Sequence, residues 1–183
     1  MFLSNLLTGR GRRVSRRTGH SGSPHGRSLS PRRLRCEPLE ERQLMSVFTY
    51  TNDPIPDQPI PDKGTITSAI TVDDSYYAAD VNVTVNMSHT RDEDLDVFLI
   101  APDGTRVELF TDVGGTGDHF NGTTLDAGAA TAITAGSAPF SGTYRPEGNL
   151  STLERKSVQG TWKLEVTDDT RKETGTLNSW SLT

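Results

Sequence analysis

The stretch DVNVTVNM, residues 80–87, decides the fold class. Val81, Val83 and Val85 alternate with polar residues, and a period of two places the valines on one face of a β-strand. The stretch LDVFL, residues 95–99, repeats the alternation. Both patterns predict strands with one face in a core and the other in water.

Further strand patterns follow along the chain, separated by turn residues. They are TITSAITV at 65–72, RVELF at 106–110, WKLEV at 162–166 and LNSWSLT at 177–183. The segment APDGT, residues 101–105, carries the proline and glycine that tight turns favour. Long helical patterns are missing from the sequence. We therefore predict an all-β domain, a jelly-roll β-sandwich, over residues 65–183.

Length and charge limit the classes of protein. The chain has 183 residues and contains no run of about 18 apolar residues, which excludes a protein with a transmembrane helix. Residues 1–46 carry ten arginines and three glutamates, a net charge of +7. Residues 47–183 carry nine basic and 21 acidic side chains, a net charge of −12. A domain this acidic repels nucleic acid, so we expect none to bind to the folded part.

The N-terminal segments differ in composition from the domain. Residues 1–46 are predicted to be a disordered basic tail, because few side chains there can be buried. A solvated tail, a patch for nucleic acid or anionic membrane, and a role in export or processing are all open. Residues 47–64 carry Pro54, Pro56, Pro59 and Pro61, which predict an extended, semi-rigid linker.

The one cysteine is Cys36, and it lies in the tail. The domain is therefore predicted to have neither a disulfide nor a zinc site built on cysteine.

A short segment after the arginines resembles the Leu-Glu-x-Arg-x-Leu-Leu motif near the N-terminus of many bacterial surface and exported proteins. The matching residues are Leu39, Glu40, Arg42, Leu44 and Met45, with methionine in place of the last leucine. The resemblance implies a bacterial protein that is exported to the cell surface or to the medium.

Several spaced blocks of the domain resemble the P domain, or Homo B domain, of bacterial subtilisin-like proteases and proprotein convertases. They are DVNVTVNMSHT, DLDVFLIAPDGTRVEL, APFSGTYRPEGNLSTL, GTWKLEVTDD and GTLNSWSLT. The resemblance runs from about residue 60 to the last residue. It implies a jelly roll that follows a catalytic domain, stabilises it, influences its calcium and pH dependence, and has no catalytic residues of its own.

The residues themselves offer no catalytic triad. A subtilisin needs a nucleophilic serine in a Gly-Thr-Ser turn, whereas Gly142-Thr143 and Gly160-Thr161 are each followed by an aromatic residue. His89 lies at a strand end in a Met-Ser-His-Thr context and is interpreted as structural. We expect the chain not to be an enzyme.

Carboxylate side chains are the remaining groups that could bind a metal ion. Asp94, Asp112, Asp118 and Asp126 are candidate calcium ligands, because calcium takes six to eight oxygen ligands and Gly-rich loops can bring carboxylates together. Some jelly rolls of the family that this domain resembles bind calcium, which supports this assignment. The alternative is that these side chains are turn caps and solvated loop acids.

The aromatic residues give two further expectations. Trp162 and Trp180 lie in alternating strands and are predicted to be core residues. Tyr76 and Tyr77 lie in a loop and are a candidate sugar- or peptide-binding patch.

Three functional hypotheses follow. The first is a non-catalytic, exported P-domain protein that acts as a stabilising or interaction module, with a protease domain or a cell-surface protein as partner. The second is an accessory domain or fragment of a subtilisin-like serine endopeptidase. The third is a jelly-roll adhesin that binds carbohydrate or protein.

Overall fold

The structure is a computed structural model that describes residues 46–52 and 57–183. Its ten strands are β1 (Tyr50–Asn52), β2 (Gln58–Ile60), β3 (Thr65–Val72), β4 (Val83–His89), β5 (Leu95–Ile100), β6 (Arg106–Thr111), β7 (Phe120–Leu125), β8 (Phe140–Tyr144), β9 (Gly160–Asp168) and β10 (Gly175–Leu182). Three short 3₁₀ turns span Asp92–Asp94, Ile133–Ala135 and Leu150–Leu153. The predicted basic tail, with the segment at residues 39–45 that resembles an export motif, lies outside the described residues except for Ser46.

The strands form two sheets that pack face to face. The first sheet has the order β1-β10-β4-β7-β8, with β2 also paired to β10, and the second has the order β3-β9-β5-β6. All neighbouring pairs are antiparallel except β7 with β8. The prediction of an all-β jelly-roll sandwich is confirmed.

The alternating residues supply the core between the sheets. Val83 and Val85 of β4 are fully buried, and so are Leu164 and Val166 of β9. Trp180 of the first sheet donates its indole N–H to Ser68 Oγ of the second, at 2.9 Å, which ties the two sheets together. Burying such side chains is the main favourable contribution to folding.

Three stacked phenylalanines fill one part of the core. Phe120 stacks on Phe110 at 4.6 Å and on Phe140 at 4.9 Å between ring centroids. Tyr144 packs edge-on against Phe140 at 5.8 Å. Offset and edge-on contacts of this kind stabilise aromatic clusters beyond the area that they bury.

In the described parts of segment 47–64, the structure has two strands where the sequence predicts an extended linker. Tyr50–Asn52 and Gln58–Ile60 are strands hydrogen-bonded to β10, and Ile60 is a core residue that is 1% exposed. Pro59 fits in β2 because this strand lies at an edge, where a missing backbone N–H costs no ladder bond. The pairing partner is more than 100 residues away, so local composition alone could not reveal it. In the described part of the chain, no helix is long and apolar enough to span a membrane.

Candidate functional site

A buried polar cluster lies at the end of the sandwich where β4 and β9 finish. His89 ends β4 and Asp168 ends β9, and both side chains are fully buried. His89 Nε2 lies 3.3 Å from Asp168 Oδ2, and His89 Nδ1 lies 2.7 Å from the carbonyl oxygen of Arg91. Both ring nitrogens therefore have partners inside the protein.

The 3₁₀ turn Asp92–Asp94 covers this cluster and is held by the glycine-rich loop. The backbone N–H of Asp92 donates to Gly117 O at 2.9 Å, and that of Glu93 donates to Gly115 O at 3.2 Å. Gly114 has a φ of +85°, and a Cβ there would lie 2.6 Å from the ring of Phe140, so glycine is required for this close approach.

Among the acids of this cluster, Asp92 has the most strongly shifted pKa. Its side chain is fully buried, and Oδ1 accepts a 2.9 Å hydrogen bond from the backbone N–H of His119. Oδ2 has no hydrogen-bond partner. Burial raises the pKa of Asp92 to about 6, against the lowering effects of the His119 hydrogen bond and of the nearby histidine charges.

Asp94 shares the buried environment but has a cationic neighbour. Burial raises its pKa, and the guanidinium of Arg91, whose Nε lies 3.4 Å from Asp94 Oδ1, opposes that shift. Arg91 also contacts Glu93 in a short ion pair. Asp94 Oδ2 is buried without a hydrogen-bond partner.

Among the described residues, the structure does not gather the four candidate calcium ligands at one place. The backbone N–H of Asp112 donates to Leu95 O, next to Asp94, and Asp118 precedes the His119 that bonds Asp92. Asp126 follows the other end of β7, whose six strand residues span about 20 Å. There Oδ1 of Asp126 accepts a hydrogen bond from Gly128 N at 2.7 Å.

One metal site made of all four acids does not fit this geometry. Asp112 and Asp118 are exposed, and Asp126 lies at the opposite end of β7. Among the described residues, no group of three or more His, Cys, Asp or Glu side chains is placed to hold a metal ion. Calcium binding therefore stays a prediction.

Both tryptophans lie in the core, as the alternating strands predict. Trp162 is 2% exposed and Trp180 is 1% exposed. Trp162 donates its indole N–H to Val158 O at 2.8 Å. The indole N–H of Trp180 also has a partner, Ser68 Oγ, so both indole rings are buried and hydrogen-bonded and neither forms a binding surface.

A patch of exposed aromatic residues lies where the chain enters the folded part. The large apolar side chains exposed within residues 46–52 and 57–183 are Val47, Phe48, Tyr76 and Tyr77. Phe48 stacks on Tyr76 with 5.0 Å between ring centroids. Tyr50, beside them, donates its hydroxyl to Asp74 Oδ2 at 2.7 Å. We give the name aromatic patch to Phe48, Tyr76 and Tyr77 together with the neighbouring Val47.

Sequence reasoning found half of the aromatic patch. Tyr76 and Tyr77 stand out as adjacent aromatic residues in a loop, but Phe48 lies in the segment interpreted as a linker. The stacking of Phe48 on Tyr76 depends on the pairing of β1 with β10, which sequence spacing does not show.

Residues 78–183 match the family described as the proprotein convertase P-domain. The chain belongs to this family. P domains are non-catalytic accessory domains of proteases, and the buried His89–Asp168 pair of this P domain agrees with a structural role.

Curated relatives of this P domain are longer proteins. The Extracellular basic protease of Dichelobacter nodosus is 30% identical over 126 residues, which cover 68% of this chain and 17% of that protein. Leupeptin-inactivating enzyme 1 of Streptomyces exfoliatus is 30% identical over 132 residues, covering 70% of this chain and 24% of that protein. This chain thus spans less than a quarter of the length of either relative.

A solved structure is also similar to this chain. The serine protease of Aeromonas sobria aligns with a TM-score of 0.49 and 23% identity, over 74% of this chain and 26% of that one.

Proposed function

We propose that this P domain is a non-catalytic, exported module that stabilises or docks onto a protein partner. The observation that carries the proposal is the position of His89. Its ring is 1% exposed, and its two nitrogens face Asp168 and the carbonyl oxygen of Arg91. A general base must reach the proton of a nucleophile, and this ring has no free nitrogen with which to do so.

The aromatic patch supports docking as the mode of action. Exposed apolar side chains that cluster together are typical of protein–protein interaction sites. Phe48, Tyr76 and Tyr77 offer large, rigid surfaces of the kind that dominate binding energy in interfaces. The partner is a protease domain or a cell-surface protein, and the proteases named among the relatives favour the first.

Photo-crosslinking tests this proposal. A photoreactive phenylalanine analogue replaces Tyr77, which is 76% exposed, and a control analogue replaces Lys163, an exposed residue of β9. After irradiation in the exported fraction of the source bacterium, we expect the Tyr77 position to cross-link a protein with a protease domain or a cell-surface protein. Equal cross-linking from both positions, or none from Tyr77, would contradict docking at the aromatic patch.

Action as an accessory domain of a subtilisin-like serine endopeptidase is the second candidate, favoured by the names of the relatives. Its test adds the full chain to the protease that the crosslink identifies and measures the rate of heat inactivation. A slower rate with the wild type than with Phe48→Ser supports this candidate, and equal rates contradict it.

A further inference from the structure

Five hydroxyl side chains form one row across the first sheet. The register pairs neighbours in the order Thr51, Ser181, Thr84, Thr124 and Thr143. On the three central strands the chain neighbours of these residues are buried, so the row lies on the outer face. Neighbouring strands are about 4.8 Å apart, which makes the row about 19 Å long.

Hydrogen bonds between side chains hold this face in one arrangement. Thr84 Oγ1 and Thr124 Oγ1 are 2.9 Å apart. In the next row, Asn86 donates to Ser179 Oγ at 2.9 Å and accepts from the backbone N–H of Gly122 at 2.7 Å. Groups that are already ordered lose less conformational freedom when a ligand binds. We call the five-residue row together with Asn86 and Ser179 the hydroxyl face.

The strands under the hydroxyl face carry no charge. β1, β4, β7, β8 and β10 contain no Asp, Glu, Lys or Arg, although residues 47–183 have nine basic and 21 acidic side chains. The second sheet is different, because Arg106 and Glu165 form an ion pair at 2.7 Å on its outer side and Lys163 is exposed beside them. The large apolar side chains exposed in the described residues also lie outside these five strands.

We infer that the hydroxyl face binds a neutral polysaccharide. Hydroxyl and amide groups both donate and accept hydrogen bonds, which matches the hydroxyl groups of sugars. Taking such groups out of water costs much less than taking out charges, so an uncharged face suits an uncharged partner. A polyanion would be repelled by the net charge of −12 on residues 47–183, and a lipid surface would find no apolar side chains here.

This inference names a second partner class for the interaction module proposed above, and rests on that proposal only for export. It uses none of the four residues of the aromatic patch. Failure of polysaccharide binding would therefore leave protein docking at Phe48 and Tyr76 unaffected, and the reverse also holds.

The test measures retention of the purified full chain on insoluble cellulose and chitin, and its retardation in gels that contain starch or alginate. Thr84→Lys and Thr143→Lys place a charge on the hydroxyl face. Thr161→Lys places the same charge on an exposed position of the second sheet. Thermal melts confirm that each variant folds, and Thr143, exposed on the outermost strand β8, keeps the test valid if Thr84→Lys unfolds.

We expect the wild type and Thr161→Lys to bind at least one of the three neutral polysaccharides. Both variants of the hydroxyl face should bind about tenfold or more weakly, because an unpaired ammonium would have to be buried. Binding to none of the three, equal binding by all variants, or preference for anionic alginate would overturn the inference. Self-association of the wild type that Thr143→Lys abolishes would also overturn it, and would assign the face to a second copy of the chain.

Discussion

His89 Nε2 and Asp168 Oδ2 are 3.3 Å apart in the core, and they join two strands that belong to different sheets. The two residues are 79 positions apart in the sequence. Thr170 N also donates to Asp168 Oδ1, at 3.1 Å, so both oxygens of this carboxylate have partners. The pair therefore works as a buried cross-connection between the ends of β4 and β9.

Breaking this pair should strongly destabilise the domain. Asp168→Asn replaces the carboxylate oxygen that faces His89 Nε2 at 3.3 Å, and leaving a buried polar group without its partner usually costs about 1–3 kcal/mol. Urea melts of Asp168→Asn, His89→Gln and the double variant measure the coupling between them. The control is Asp169→Asn, which changes the exposed neighbour and should alter the free energy of unfolding by less than about 0.5 kcal/mol. Strictly additive losses in the double variant would show that the two side chains do not interact.

The stability of the domain should depend on pH through Asp92. Its pKa of about 6 in the folded chain lies above the ordinary value of 3.8, so the folded chain binds the proton more tightly than the unfolded chain. The contribution of Asp92 to the free energy of unfolding therefore increases as the pH falls from above 6 towards 4.

Asp92→Asn should remove this contribution and flatten the pH profile of stability between pH 4 and 7, because the amide does not ionise. The measurement is a series of urea melts across that range. Glu154→Gln, at an exposed carboxylate that is not among the charges acting on Asp92, is the control and should keep the wild-type slope. Identical slopes for the wild type and Asp92→Asn would contradict the assignment of this pH dependence to Asp92.

Trp162→Ala should lower the free energy of unfolding by about 3–5 kcal/mol, the usual cost of emptying an aromatic core position. Trp162 is 2% exposed and lies on the same strand face as Leu164 and Val166. Tyr77→Ala, at a side chain that is 76% exposed, should cost less than about 0.5 kcal/mol. A loss below about 1 kcal/mol for Trp162→Ala would show that the ring is not a core residue.

Calcium should leave the melting temperature nearly unchanged, because Asp94, Asp112, Asp118 and Asp126 do not surround one point. A bound ion at a hundredfold excess over its Kd would stabilise the fold by about 2.7 kcal/mol, a rise of about 10 °C for a domain of this size. The measurement compares melts in excess chelator and in millimolar calcium. A rise of several degrees in calcium would contradict this prediction, and its loss in Asp94→Asn or Asp126→Asn would show which of these residues binds the ion.

Strict alternation made most of the fold predictable. β3, β5, β6, β9 and β10 carry period-two patterns or runs of β-branched residues, and their observed bounds lie within two residues of the predicted strands. β7 and β8 were not predicted, because FNGTTL and FSGTY contain glycine and small polar residues. Gly122 and Gly142 have φ values of +63° and +90°, and the register shifts between Phe120 and Thr123. Such irregular strands form because neighbouring strands pair with them, which is a tertiary effect.

The candidate site was less predictable than the fold. Asp94 could be selected from its acidic neighbours, whereas the raised pKa of Asp92 comes from burial, which the sequence around it does not show. Asp118 and Asp126 look close in the sequence, yet an extended strand of six residues places them at opposite ends of the sheet. Sequence distance underestimates spatial distance wherever a strand lies between two residues.

Turnover of peptides by the purified full chain tests the central claim, that this P domain acts without catalysis, most directly. The substrates are an unstructured protein and small basic peptides, and cleavage is followed by mass spectrometry. We predict no cleavage above the buffer control, because His89 is enclosed by Asp168 and the carbonyl oxygen of Arg91. Cleavage that survives rigorous purification and is lost when a serine of this chain is replaced by alanine would contradict the account.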